Sequence, residues 1–216
     1  MKINNYIEHT LLKPQANDED IKKLIKEAIE YEFLGVCINP NYVKFAKNLL
    51  QDKNTKVVTV VNFPLSANTI ETVLFQTEKA LDDGADEIDT VINLAELKNK
   101  NYKTVTNDIK RTKEICKNHN LKVIIETDLL TKEEIIIASN CSIEAGANFV
   151  KTSTGFVKNG VGAKVEDVKL MYKTVHPYGL EVKASGGIKN YSQAINLINA
   201  GAVRLGASSG VEIMNN

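Results

Sequence analysis

Residues 149–155 read FVKTSTG and residues 180–187 read LEVKASGG. Each sets a single lysine, Lys151 or Lys183, inside a short apolar run of the kind that forms a buried strand. An ammonium buried without a partner costs several kcal/mol or gives up its proton. One such lysine is readily explained as a side chain that bends to the rim or meets a carboxylate. Two of them in successive runs need a shared purpose, and what they can share depends on the sheet that holds them.

Outward from these two runs the chain repeats one unit. Short β-branched runs at 7–11, 35–39, 57–62, 87–92, 123–127, 149–154, 180–185 and 202–207 alternate with longer segments of helical period. Their starts fall about 28 residues apart, close to what a compact (β/α)8 barrel of roughly 200–250 residues requires. Segment 16–32 shows the helical pattern, with Asn17 and Asp18 as caps and Ile21, Leu24, Ile25, Ala28 and Ile29 on one apolar stripe. Gly84, Gly146 and Gly201, each followed by Ala just ahead of a run, fit helix stops. No linker or low-complexity stretch interrupts the alternation. The expectation is an α/β fold, a (β/α)8 TIM barrel, as a single domain over 1–216.

In a barrel strand alternate residues point inward. Val150 and Val182 suit the layer beneath the helices, so Lys151 with Phe149 and Ser153, and Lys183 with Glu181 and Ser185, should face the interior. Two like charges about 5 Å apart at an effective dielectric near 20 repel by roughly 3 kcal/mol, or about 2 pKa units. One lysine is then expected to be partly neutral near pH 7, and a neutral amine in a semi-apolar pocket is a carbonyl nucleophile. Asp89, within EIDTVIN, supplies a carboxylate that either shuttles a proton or serves as a plain buried ion-pair partner. Ser185-Gly186-Gly187 closes the seventh run and Gly206-Ala207-Ser208-Ser209-Gly210 the eighth. Backbone N–H groups at those two places would cradle a phosphate, although glycines also turn chains and serines also cap helices.

Composition excludes other classes. The 27 basic and 27 acidic side chains cancel, leaving no bulk field to recruit nucleic acid or an anionic membrane. No apolar run approaches the roughly 20 residues that span a bilayer, and MKINNYIEHTLLKP has no apolar leader core, so a cytoplasmic setting is expected. Cys37, Cys116 and Cys141 are widely spaced, as are His9, His119 and His176, which gives a metal or a disulfide framework no local starting point.

EHTLLKP, GVCINPNYV, VVNFPL, GADEIDTVIN, IIETDLLT, FVKTSTGF, KASGGI and RLGASSGVEI stand in this order along nearly the whole chain. In this the sequence resembles the deoxyribose-phosphate aldolases. The resemblance implies a barrel that reversibly cleaves 2-deoxy-D-ribose 5-phosphate to D-glyceraldehyde 3-phosphate and acetaldehyde, with no metal or organic cofactor, as a homo-oligomer, dimer or tetramer. It implies Lys151 as the Schiff-base lysine, Lys183 as the lysine that tunes it, and Asp89 as the proton-transfer group. Gly155, Gly186, Gly187, Gly206, Ser208 and Ser209 would hold the phosphate, with Glu8, Cys37 and Thr154 in support. Glu8 stands where the family pattern has Asp, Asp128 where it has a small or neutral residue, and KNGVGAKVEDV where GGATVEDV is commoner.

Overall fold

The computed structural model describes residues 2–51 and 53–215; the expected span 1–216 thus includes Met1 and Asn216, which lie outside the described residues. The elements run β1 (Ile7–Leu11), α1 (Asp18–Glu30), β2 (Gly35–Ile38), α2 (Val43–Leu49), β3 (Lys56–Val61), α3 (Ile70–Asp82), β4 (Glu87–Val91), α4 (Leu94–Lys98) and α5 (Tyr102–Cys116). They continue with β5 (Asn120–Ile124), α6 (Lys132–Glu144), β6 (Phe149–Lys151), α7 (Val165–Val175), β7 (Glu181–Ser185), α8 (Tyr191–Asn199), β8 (Ala202–Ala207) and α9 (Gly210–Asn215). All eight strands are parallel and close in chain order, β8 pairing with β1. This is a (β/α)8 barrel.

Local chemistry sets the element ends. Asn17 caps α1 by accepting from the N–H groups of Glu19 and Asp20, while the Asp20 side chain answers the Asn17 N–H, a reciprocal capping box. Gly84, Gly146 and Gly201 take positive φ after α3, α6 and α8. Two strands differ from the expected runs by three residues, the others by one at most. β5 starts at Asn120 rather than 123, because its first residues are polar and Lys122 conceals a strand that an apolar pattern would reveal. β6 ends at Lys151, three residues early, although Thr152 still donates its N–H to Lys183 and accepts from Thr127.

The main core lies between the sheet and the helices, where strand residues such as Val36, Val57, Ile88, Val123, Val150, Val182 and Leu205 meet the helix stripes. Inside the barrel, Leu12, Cys37, Val58 and Val60 form a small apolar cluster. Much of the remaining interior is charged, unlike the branched apolar filling usual in such barrels. Lys122 on β5 reaches Glu8 on β1 at 3.5 Å, and Lys183 on β7 reaches Asp89 on β4 at 2.6 Å, contacts that only the barrel axis allows. Glu181, expected to face inward, is instead exposed at the start of β7.

At the N-terminal end of the strands Glu87 joins two lysines, Lys56 Nζ at 2.5 Å and Lys122 Nζ at 2.6 Å. The Phe149 ring lies below the cations of Lys122 and Arg204, 5.8 and 5.5 Å from its centre. Burial pushes the Glu87 pKa up, but Lys122 and Lys56 outweigh it and bring it down to about 2. A carboxylate held below its unfolded value stabilises the fold above that value and loses the contribution as pH falls towards 2. From the ordinary 4.5 this is worth on the order of 3 kcal/mol. Denaturant titrations should therefore show stability falling between about pH 5 and 2, with a shallower fall in Glu87→Gln. An unchanged acid limb in that variant would remove Glu87 from the account.

Candidate active site

Asp89, the middle residue of β4, organises the interior. Its Oδ2 accepts from Lys151 Nζ at 2.7 Å and from Lys183 Nζ at 2.6 Å, and its Oδ1 accepts from Lys122 Nζ at 3.0 Å. Lys151 and Lys183 are direct register partners on β6 and β7, so both ammonium groups arrive at one oxygen from adjacent strands. Lys183 also donates to Glu8 Oε2, and Glu8 lies wholly within this lysine network. Its longer side chain is accommodated there, facing lysines. Gly206 lets Lys183 through: a Cβ at that position would lie 3.2 Å from Lys183 Cε.

The charges hold one another in place. Burial pushes the Asp89 pKa up, yet Lys122, Lys151 and Lys183 together hold it well below the usual carboxylate range. Burial likewise opposes the charged form of Lys183, but Asp89 and Glu8 outweigh it and raise its pKa above the ordinary lysine value. Lys122 is raised in the same way by Asp89 and Glu8 against its own burial. The expected contest between two bare ammonium groups thus takes another form. A carboxylate stands between them, and Lys183 keeps its charge.

Lys151 alone of the three lysines opens onto a cleft, of about 310 Å³, at the C-terminal ends of the strands. Gly155, Gly186, Gly187, Gly206, Ser208, Ser209 and Thr154 line the same cleft, so the residues singled out as phosphate ligands do converge beside Lys151. Phe156, Leu12 and Lys189 complete the wall. Lys189 was missed in the sequence, although a cation two residues beyond Gly-Gly is the signal that would have found it. Lys122 was missed because the polar stretch 117–120 ahead of Leu121 hid the start of its strand.

Glu126, also missed, follows β5 in the left-handed region, φ 60° and ψ 65°. That conformation is uncommon outside glycine and tends to persist where surrounding contacts enforce it. Here its carboxylate accepts from the Thr154 N–H at 3.1 Å and from the Thr154 hydroxyl, anchoring the start of the cleft loop. Burial pushes the Glu126 pKa up against these hydrogen bonds. The IIETDLLT stretch contains this residue without singling it out; its backbone angle does so.

Cys37 is buried in the inner apolar cluster, and burial pushes its thiol up against the opposing effect of Lys183 and Lys151. Glu8, Cys37 and Asp89 bring ligand-type atoms within 4.8 Å of one another, a grouping the sequence disperses. The Lys183 ammonium, bonded to two of the three, already supplies the positive charge there. Among the described residues no helix is long and apolar enough to cross a membrane.

The DeoC/LacD family aldolase profile matches residues 5–216. The deoxyribose-phosphate aldolase of Mycoplasma capricolum is 50% identical over 214 residues, 99% of this chain and 95% of that protein. That of Clostridium botulinum is 51% identical over 214 residues, covering 99% of this chain and 100% of its own length. The solved tetrameric deoxyribose phosphate aldolase of Aeropyrum pernix is 32% identical, with a TM-score of 0.88 over 99% of this chain and 89% of that one. The match spans the strands that carry Lys151, Lys183 and Asp89 together with the loops that line the cleft, and the chain belongs to the DeoC/LacD family of aldolases.

Proposed function

We propose that this aldolase reversibly cleaves 2-deoxy-D-ribose 5-phosphate to D-glyceraldehyde 3-phosphate and acetaldehyde through an imine on Lys151. The observation that carries the reading is the position of Lys151. It is the one core lysine that both meets Asp89 and lines the cleft walled by the glycine and serine loops. The substrate is that named for the relatives in Mycoplasma and Clostridium.

In the cleavage direction the neutral amine of Lys151 adds to the C1 aldehyde of the open-chain sugar, and loss of water gives an iminium. A base takes the proton of the C3 hydroxyl, the C2–C3 bond breaks, and its electron pair enters the enamine as C3 becomes the aldehyde of the leaving triose phosphate. Protonation of the enamine at C2 and addition of water release acetaldehyde and restore the amine. Water and protons balance every step, so the route requires neither a metal nor an organic cofactor.

Lys183, held cationic by Asp89 and Glu8, places a fixed positive charge one carboxylate away from the nucleophile. Asp89 is the proton relay. Deprotonation of a neighbouring amine weakens the field that suppresses its proton affinity, so Asp89 becomes more basic at the step that needs a proton acceptor. Gly155, Gly186, Gly187, Gly206, Ser208 and Ser209 hold the phosphate, with Thr154 beside them, and Cys37 contributes to the small apolar wall near the two-carbon unit. A single domain, a cytoplasmic setting and a homo-oligomeric assembly belong to the same reading, the last supported by the tetrameric Aeropyrum relative.

Borohydride with acetaldehyde should add one two-carbon unit, mapped by peptide mass to Lys151. Lys151→Arg should abolish turnover, since a guanidinium does not form the imine. Modification at Lys183, or at no lysine, would overturn the assignment. For phosphate recognition Ser208→Asp is the cleaner probe, because any side chain at Gly187 would lie 2.3 Å from the Val161 carbonyl. Placing a carboxylate at residue 208 should raise KM for the 5-phosphate by roughly tenfold or more, with little effect on unphosphorylated 2-deoxyribose. Equal losses on both substrates would point away from a phosphate site.

A further inference from the structure

The turn that follows β5 carries a second carboxylate, Asp128, whose partners lie on the loop after β6. Its Oδ2 accepts the Gly162 N–H at 2.7 Å, and its Oδ1 meets Lys164 Nζ at 3.1 Å. The side chain is 8% exposed, so these contacts are largely shielded from water. Gly160 fits close beneath it: a Cβ there would lie 2.8 Å from Asp128 Oδ2.

What Asp128 holds is itself pressed against the wall of the cleft. A Cβ on Gly162 would lie 2.4 Å from the Gly186 carbonyl, and one on Gly187 would lie 2.3 Å from the Val161 carbonyl oxygen. The Ala163 N–H donates to the Gly186 carbonyl at 3.1 Å. Backbone meets backbone, with no side chain to absorb a shift. Gly186 and Gly187, both at positive φ, line the cleft beside Ser208 and Ser209. Any displacement of residues 161–163 is therefore passed directly to them.

We infer that Asp128 is a positioning residue for phosphate binding: its carboxylate fixes residues 161–163 against the Gly186–Gly187 turn and so sets the affinity of the cleft for the phosphoryl group. The inference rests on the phosphorylated substrate proposed above. Lys164 has the complementary task. A carboxylate so near a dianion's site would repel it, and Lys164 neutralises that charge while Gly162 takes up the other oxygen. The Asp128 hydrogen bond in turn raises the Lys164 pKa, which keeps that lysine charged. Asp128 and residues 158–168, the two places where the sequence departs from the family pattern near the cleft, meet in this one interaction.

The test is steady-state kinetics of the full chain carrying Asp128→Ala, Asp128→Asn or Lys164→Met, with thermal melts for folding. Asp128→Ala should raise KM for 2-deoxyribose 5-phosphate by about tenfold and leave kcat/KM for unphosphorylated 2-deoxyribose within about twofold. Asp128→Asn, which keeps an acceptor for the Gly162 N–H, should return KM to within about threefold of the parent. Lys164→Met should also raise KM for the phosphorylated sugar, by exposing a carboxylate, and it carries the test if Asp128→Ala does not fold. An unchanged KM in these variants, equal losses on both substrates, or Asn as impaired as Ala overturns the inference. Inorganic phosphate binding, measured by calorimetry, separates it from the functional reading. A parent protein that binds phosphate in an Asp128-dependent way yet does not cleave the sugar phosphate would sink the substrate and keep the inference.

Discussion

A single carboxylate, Asp89, receives ammonium groups from three strands and leaves neither of its oxygens free. In a barrel interior an ion without a partner is strongly destabilising, so each of these side chains is tolerable only because the others are present. Glu8 and Glu87 extend the arrangement to β1 and to the lower rim, where Lys56 brings it within reach of water. Ion pairs of this kind contribute little net stability against an apolar filling, so stability alone does not account for them. Lys151 faces the cleft on one side and the fixed Asp89 carboxylate on the other.

How much of this was legible depended on whether the signal was local. The barrel could be read because parallel strands buried on both faces are written as short apolar runs, and helices as stripes. Lys151 and Lys183 could be read for the opposite reason, as violations of that pattern. Lys122 could not: it sits between Leu121 and Val123 after a polar start, and the run seemed to begin one residue later. The bridging of Asp89 to three lysines was equally hidden, since it joins β4 to β5, β6 and β7 through contacts 33 to 94 residues apart. Glu126 stands inside IIETDLLT without being singled out there, because its distinction is a backbone angle imposed by the fold.

The cleft shows the same division. Its glycines and serines announced themselves by composition, but the reason the glycines are required is partly steric and non-local. Gly186 and Gly187 face the backbone of residues 161–163, and Gly206 faces the stem of Lys183. A residue can thus be small for the sake of another residue's path as well as for a ligand's approach. Gly206, which also lines the cleft, links the position of Lys183 to the shape of the cleft wall.

The balanced interior also constrains how this protein can evolve. Replacing any one of Glu8, Glu87, Asp89, Lys122 or Lys183 by a neutral residue leaves a surplus charge where water does not reach. Acceptable changes must either conserve charge or come in pairs of opposite sign, so the order in which substitutions arise decides which are accessible. At Glu8, which reaches Lys183, a change of the first sort would exchange one carboxylate for another. Randomising these positions one at a time would yield mostly inactive or unfolded chains, while libraries that vary a lysine together with its carboxylate would retain the barrel and explore new settings for Lys151.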